Sequence, residues 1–204
     1  MVEIVPYQPG WPAEFSQIAL PLRQALGDLA LRIDHIGSTS VPGLAAKDVI
    51  DIQITVSSLN DSLAAPFTSL GYVKAEHRRD HATPGFTGPD SEWEKMLFSP
   101  APRAPDGEAP RAPDGEAPSG ARRTHIHVRI QGRANQRYAL LFRDYLRTHP
   151  DTAEAYAELK RRLAQYLADP QDYPFVKDPA VDLVYFAAEA WAAAVGWQPG
   201  PSDA

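Results

Sequence analysis

The residues best suited to chemistry lie between positions 35 and 56, in the stretch HIGSTSVPGLAAKDVIDIQITV. A glycine and three hydroxyl residues follow a predicted strand and open a helical turn: Gly37, Ser38, Thr39 and Ser40. The free backbone N–H groups of such a turn attract phosphate. Lys47 offers a point charge to the same anion. The pattern therefore predicts a phosphate-binding turn.

Two oxygen-bearing side chains, Asp51 and Gln53, stand two residues apart in the strand predicted over 48–56. Side chains at this spacing leave a strand from the same face. Carboxylate and amide oxygens are ligands that hard divalent cations accept. We therefore expect both residues to bind one divalent metal, as Mg²⁺ on a nucleotide requires.

Two histidines alternate along the predicted strand THIHVRI, where His125, His127 and Arg129 share one face. Imidazoles can act as general bases, contact phosphate or, together with a carboxylate, bind a transition metal. We expect this strand to lie beside Asp51, with His35 completing a histidine-rich pocket and Arg129 adding positive charge. In the alternative interpretation, the histidines are hydrogen-bonded residues of a half-exposed sheet face.

The elements that must position these residues follow from hydrophobic periodicity. Helices are predicted over 12–29, where Pro21 should bend or interrupt the helix, and over 58–70, 134–148, 151–168 with Asp151 as N-cap, and 179–195. Strands are predicted over 31–36, 48–56, 71–76, 93–99 and 124–130. This order predicts an α+β fold: a mixed β-sheet flanked by helices, with a helical C-terminal half.

Composition limits the class of protein. The chain has 204 residues, 44% of them hydrophobic, which favours a single domain, predicted over 1–198 with a disordered tail at 199–204. The octapeptide PRAPDGEA occurs twice in succession, which predicts a flexible Pro-rich insertion at 101–121. A net charge of −6 argues against an extended nucleic-acid surface.

Two absences from the sequence complete these expectations. No apolar run reaches the ~20 residues that span a bilayer, and the start lacks signal-peptide character, so we expect a cytoplasmic protein without a membrane partner. Cysteine is absent, so any metal must bind to His or carboxylate side chains. The sequence leaves the oligomeric state open.

The segment from His35 to Asp51 resembles the hallmark of the GrpB family, H-[IV]-G-S-T-[SA]-V-P-G-[LM]-x-[AG]-K-x-x-[IL]-D. The family's opening pattern resembles the spacing of Val5, Tyr7, Trp11 and Phe15. The strand THIHV and the helical stretch FRDYLRTHPDTAEAYAELKRRLA are similar to family segments as well. The resemblance covers nearly the whole chain outside the Pro-rich insertion.

The resemblance implies a nucleotidyltransferase-like fold that binds a phosphate-bearing small molecule, a nucleotide, with Mg²⁺ or another divalent metal. It implies nucleotidyl or phosphoryl transfer, in which His125 or His127 accepts the proton of an acceptor hydroxyl. The implied catalytic residues are Asp51, His125 and His127, and the metal ligands are Asp51 and Gln53. The implied phosphate contacts are His35, Gly37, Ser38, Thr39, Ser40, Lys47 and Arg129.

One departure keeps alternatives open. Active polymerase-type nucleotidyltransferases carry a second carboxylate where this chain has Gln53, and an amide contributes no negative charge. The sequence therefore leaves open whether the chain is an enzyme. A non-catalytic nucleotide- or anion-binding regulatory module is one alternative. A metal-dependent hydrolase built on His35, Asp51, His125 and His127 is another, and a partner-binding role of the helical half is a third.

Overall fold

A computed structural model describes residues 2–76, 79–101 and 122–204. Five helices lie in this part of the chain: α1 (Trp11–Leu26), α2 (Ala64–Ser69), α3 (Ala134–Thr148), α4 (Pro150–Tyr166) and α5 (Tyr173–Val195). Five strands accompany them: β1 (Arg32–Ile36), β2 (Ile50–Val56), β3 (Tyr72–Lys74), β4 (Met96–Pro100) and β5 (Thr124–Ile130). The predicted α+β class, with a helical C-terminal half, is confirmed.

The strands form one mixed sheet in the order β1-β2-β5-β4-β3. β2 and β5 pair in parallel, whereas the other neighbouring pairs are antiparallel. The parallel register sets Asp51 beside His125 and Gln53 beside His127. Side chains of paired residues leave the same sheet face, so this register brings the two chemistry-bearing strands of the sequence together.

The two faces of the sheet differ in polarity, as the alternation in β2 predicts. Ile52 and Ile54 belong to a buried apolar cluster that includes Phe15 and Leu22 of α1 and Phe67 of α2. Burial of each such side chain stabilises the fold by about 1.5–3 kcal/mol. Asp51, Gln53 and the histidines of β5 lie on the opposite face. The apolar face fixes the strand register, and the register fixes the polar face.

A second apolar cluster joins the three C-terminal helices to the segment that follows the serine-rich turn. Leu141 and Tyr145 of α3 and Tyr156 of α4 belong to it, together with Val41 and Leu44. The turn between β1 and β2 is therefore held by the helical half as well as by the sheet. This arrangement brings α4 close to the turn.

Three helix predictions differ from the structure. Pro21 is predicted to bend or interrupt α1, and the interruption does not occur, because Pro21 lies inside the continuous helix. The carbonyl that the proline leaves without a donor belongs to the exposed Gln17 and can bond to water. α4 has His149 as its N-cap, and Asp151 lies in the first turn, where its charge favours the helix dipole. α5 begins at Tyr173 rather than at 179 and contains Pro179.

The last residues also differ from the disordered tail expected over 199–204. Ser202 Oγ accepts from the amide of Ile33 at 2.9 Å, Asp203 Oδ2 accepts from that of His35 at 2.9 Å, and Ala204 N donates to Ile33 O at 3.1 Å. β1 is an edge strand, so the backbone groups on its outer side are free to bond to these C-terminal residues.

The predicted insertion at 101–121 lies outside the described residues apart from Ala101. Within the described ranges, no helix has the length and apolar character needed to cross a membrane.

Candidate functional site

The serine-rich turn and the acidic strand meet at Gly37 and Asp51. Gly37 has φ of 70°, and a Cβ atom built on it would stand 2.4 Å from Asp51 Oδ2. Only a glycine lets the turn backbone approach the carboxylate so closely. The residues after it, Ser38–Ser40, form one 3-10 turn. The turn and the carboxylate of Asp51 therefore lie close together, as predicted.

The two histidines of β5 flank the same carboxylate. His125 Nδ1 lies 3.2 Å from Asp51 Oδ1, and His127 Nε2 lies 3.9 Å from that oxygen. Burial raises the pKa of Asp51, but hydrogen bonds from His125 and His127 outweigh it and hold the pKa well below its usual range. Asp51 is therefore an anion at neutral pH. We call Asp51, His125, His127 and the Ser38–Ser40 turn the cleft.

His127 has its proton on the nitrogen that faces Asp51. Its Nδ1 lies 3.3 Å from Lys95 Nζ and 3.4 Å from Arg129 Nη2, two groups that can only donate. Nδ1 is therefore the acceptor, and Nε2 carries the proton. Burial and the charges of Lys95 and Arg129 lower the pKa of His127 to about 3. The predicted role of His127 as proton acceptor is not supported by this arrangement, because Nδ1 already accepts and Nε2 carries the proton.

His125 has the geometry of an oriented base. Its Nδ1 donates to Asp51 Oδ1, so Nε2 has its lone pair free to accept a proton. The side chain is 40% exposed, in contrast to that of His127. A carboxylate that fixes the imidazole tautomer in this way is a recurring device in general base catalysis. Of the two predicted histidines, His125 alone fits the base.

A buried ionic network lies beneath His127 and includes residues predicted for other roles. Asp80 accepts from Arg129 Nε at 2.8 Å and Nη2 at 3.0 Å, and from Lys95 Nζ at 2.6 Å. Burial opposes ionisation of Asp80, but the charges of Arg129 and Lys95 hold its pKa well below the usual range. Arg129 is thus engaged inside the protein, and its predicted phosphate contact is not supported.

Gln53 belongs to the same network. It is fully buried, its Oε1 accepts from Arg129 Nη1 at 2.6 Å, and its Nε2 donates to Gln136 O at 3.1 Å. Because both ends of the amide are used, the predicted metal ligation by Gln53 is not supported. Across the ranges that the structure describes, no group of three or more His, Cys, Asp or Glu side chains is arranged to hold a metal ion. Of the two predicted metal ligands only Asp51 remains, with its side chain 28% exposed.

His35 points to the opposite side of the sheet from Asp51. It pairs with Ile52 across β1 and β2, is 4% exposed and stacks on Phe15 with ring centroids 4.9 Å apart. Its Nε2 donates to Thr39 Oγ1 at 3.0 Å, and that hydroxyl donates to Val49 O at 3.1 Å. Burial lowers the pKa of His35 to about 4. The histidine pocket predicted to include His35 is therefore wrong.

Of the three hydroxyl residues in the turn, Ser38 is the best placed to meet a ligand. Thr39 and Ser40 are buried, and Ser40 Oγ donates to Gly37 O at 2.6 Å, so both side chains shape the turn. Their predicted phosphate contacts are not supported. Ser38 is half-buried. Lys47 is also partly exposed, and its Nζ lies 4.1 Å from the ring centroid of Tyr173.

Lys160 of α4 is a candidate site residue that the sequence patterns did not predict. It is only 3% exposed, and its Nζ donates to Ser38 Oγ at 2.8 Å and to Ala45 O. Its Nζ also lies 4.7 Å from the ring centroid of Tyr156. Burial and nearby cations lower the pKa of Lys160 to about 7. The available signal was a lysine on the apolar stripe of α4, four residues after Tyr156.

Comparison with known proteins places this arrangement in a family. The family model described as GrpB protein matches residues 1–186. This chain belongs to the GrpB family. The crystal structure of conserved GrpB protein from Enterococcus faecalis has a TM-score of 0.68 and 29% identity, and the match covers 93% of this chain and 99% of that one. The GrpB resemblance expected from the sequence is thereby confirmed.

Curated relatives of this GrpB chain carry two kinds of name. A dephospho-CoA kinase of Mycolicibacterium paratuberculosis is 37% identical over 97% of this chain and 48% of its own length. A UPF0157 protein of Pseudomonas aeruginosa is 37% identical over 88% of this chain and 64% of its own length. The chain spans about half the length of the dephospho-CoA kinases that it matches.

Proposed function

We propose that this GrpB protein binds a phosphate-bearing small molecule, a nucleotide, in the cleft. The observation that carries the proposal is the contact of Lys160 Nζ with Ser38 Oγ at 2.8 Å. It places a buried amine, whose pKa is lowered to about 7, directly behind a hydroxyl of the turn, and a bound phosphate would favour its charged form. A cation in a low-dielectric environment attracts an anion far more strongly than an exposed lysine does. Lys160 and Ser38 together therefore suit one phosphate group.

The candidate reaction is nucleotidyl or phosphoryl transfer to an acceptor hydroxyl. Ser38, Lys160 and Lys47 would hold the phosphates and position the phosphorus for in-line attack. Asp51 would keep the proton of His125 on Nδ1, and His125 Nε2 would accept the proton of the acceptor hydroxyl. His127, held neutral by Lys95 and Arg129, would donate toward Asp51 and help to keep it ionised.

A divalent cation fits the cleft in a limited way. Mg²⁺ is commonly held by one or two carboxylates together with substrate phosphates and water, so Asp51 alone is sufficient on the protein side. The pair of ligands expected at Asp51 and Gln53 does not fit, because Arg129 occupies the amide oxygen. When bound, the ion would neutralise phosphate charge. A two-metal centre is not part of this proposal.

The engagement of Gln53 in buried hydrogen bonds favours a second candidate function, a non-catalytic nucleotide-binding module. The position where a second catalytic acid is expected carries a fully buried amide with both ends hydrogen-bonded. Phosphoryl transfer of the P-loop kinase type is not proposed for this chain. Its sequence lacks the G-x-x-x-x-G-K-[ST] pattern with which P-loop kinases bind phosphates. The match to this chain covers only 48% of the length of the kinase relative.

The test is a comparison of ATP with adenosine by thermal shift and calorimetry, each with Mg²⁺ and with EDTA. We expect ATP to bind and to raise the melting temperature, because a ligand that binds the folded state stabilises it, and adenosine to do neither. Lys160→Met and Ser38→Ala should weaken ATP binding. Lys74→Met, at an exposed lysine of β3, is the matched control.

Each result decides a separate part of the proposal. Equal binding of ATP and adenosine, or no binding of any nucleoside triphosphate, would refute phosphate recognition. Pyrophosphate release that depends on Mg²⁺ and is abolished by His125→Gln would support transfer. ATP binding without turnover, unchanged by EDTA, would support the non-catalytic module and exclude the metal.

A further inference from the structure

A cavity separate from the cleft lies between α5 and the loop that follows Asp80. Its volume is about 480 Å³, within the range of small-molecule sites. It is lined by His81, Pro84, Phe175, Pro179, Asp182 and Phe186, among others. None of these residues contributes to the proposed nucleotide site.

One of the residues that line this cavity, Asp182, has a carboxylate oxygen that makes no hydrogen bond to the described residues. Asp182 is 3% exposed, and its Oδ2 lies 3.0 Å from His81 Nε2. Its Oδ1 is buried and has no hydrogen-bond partner among the described residues. A buried polar atom without a partner is uncommon and costly, so a positive charge near this carboxylate would be stabilising.

The walls of the cavity are apolar and unusually exposed. Phe175 is 74% exposed and Leu183 71%, and both lie on one stripe of α5 with Pro179 and Phe186. Contiguous exposed apolar surface on a protein marks a place of binding. Aromatic rings next to a carboxylate suit a cation, because the ring face and the carboxylate both attract positive charge. Asp178, which also lines the cavity, adds a second negative charge.

We propose that this cavity binds a small organic cation, a primary ammonium on an aromatic or branched apolar body. The ammonium group lies against the carboxylates of Asp178 and Asp182, which line the cavity, and the apolar body packs on Phe175 and Phe186. Two carboxylates repel phosphate, so the ligand differs in charge from that of the cleft. The site stands independently of the proposed nucleotide binding.

The experiment compares three probes of similar size: 2-phenylethylammonium, the neutral 2-phenylethanol and the anionic 3-phenylpropionate. Binding to the full chain is measured by calorimetry and by NMR. We expect the ammonium to bind at least about tenfold more tightly than the alcohol, the effect of one charge-assisted hydrogen bond, and the carboxylate not to bind. Asp182→Asn should remove the preference for the cation. Asp172→Asn, at an exposed acid just before α5, should retain it.

A variant at an exposed position keeps the test valid if Asp182→Asn does not fold. Phe175→Ser changes a side chain on the surface and should weaken the ammonium and the alcohol alike, with circular dichroism unchanged. Equal affinities for the ammonium and the alcohol, no binding of the ammonium at 10 mM (about 2.7 kcal/mol of affinity), or unchanged affinity in Phe175→Ser would each overturn the proposal.

Discussion

Gly37 and Asp51 are packed so that a Cβ atom on the glycine would stand 2.4 Å from Asp51 Oδ2. The backbone of the turn therefore depends on the absence of a side chain at one position. This close packing keeps the carboxylate of Asp51 next to the turn and beside His125. One glycine thus links the conformation of the loop to the geometry of the cleft.

Gly37→Ala should reduce the free energy of unfolding by about 3 kcal/mol or more, because positive φ and steric overlap with Asp51 act together. Gly43→Ala is the control. Its φ of 81° is also positive, but nothing lies within 4 Å of the added atom. It should lose only about 1–2 kcal/mol, the backbone cost alone. Denaturant unfolding measures both, and equal losses would show that the contact with Asp51 is not restrictive.

Asp80→Asn should destabilise the fold by about 3–5 kcal/mol, because it leaves the buried Arg129 and Lys95 without their anion. The control is Asp90→Asn, which breaks the exposed ion pair with Arg79 and should cost no more than about 1 kcal/mol. Chemical denaturation of the two variants in parallel gives the comparison. A loss below about 1 kcal/mol for Asp80→Asn would contradict a tightly coupled network.

Stability should fall as the pH falls from about 6.5 toward 4. His35 and His127 have pKa values lowered to about 4 and about 3, whereas a histidine in the unfolded chain titrates near 6.5. Protonation therefore favours the unfolded state over this window, and the neutral imidazoles contribute their full stability above it. We expect a loss on the order of 2–5 kcal/mol between pH 7 and pH 4.5.

His35→Phe tests this origin. Phenylalanine keeps the stacking on Phe15 and removes one titration, so the slope of unfolding free energy against pH should fall by about half. An unchanged slope would assign the acid sensitivity to other groups.

Lys160→Met should separate stability from binding. The substitution removes a buried cation and retains an unbranched side chain of similar length, so the free energy of unfolding should change by less than about 1.5 kcal/mol. Nucleotide affinity should fall by about tenfold or more, because the phosphate loses a charge-assisted hydrogen bond. Melting curves with and without ATP measure both quantities. Full retention of affinity would exclude Lys160 from the binding site.

Period-2 alternation in two strands was sufficient to predict that Asp51, Gln53, His125 and His127 share one sheet face. In β1 the same alternation sets His35 on the side of Ile33, which is the apolar side, so the error lay in assigning His35 to the cleft. The partners of Gln53 and Arg129 come from distant segments: Arg129 donates to Asp80 of the loop after β3, and Gln53 donates to Gln136 O of α3. No local pattern contains that information.

Lys160 illustrates the same limit. Its position four residues after Tyr156 is visible in the sequence, but its contact with Ser38 joins residues 122 positions apart. Only the packing of α4 against the segment after the turn brings them together. Sequence patterns thus predicted the sheet-borne half of the cleft, and the helix-borne half required the tertiary structure.

The pairing of Ser202–Ala204 with Ile33 and His35 has a consequence for association between molecules. An uncovered border of a sheet can recruit a strand from another chain and seed aggregation. Here the protein supplies its own cover at β1. Any intermolecular strand addition must therefore start at the other border, where β3 is three residues long and carries Lys74, features that discourage such growth.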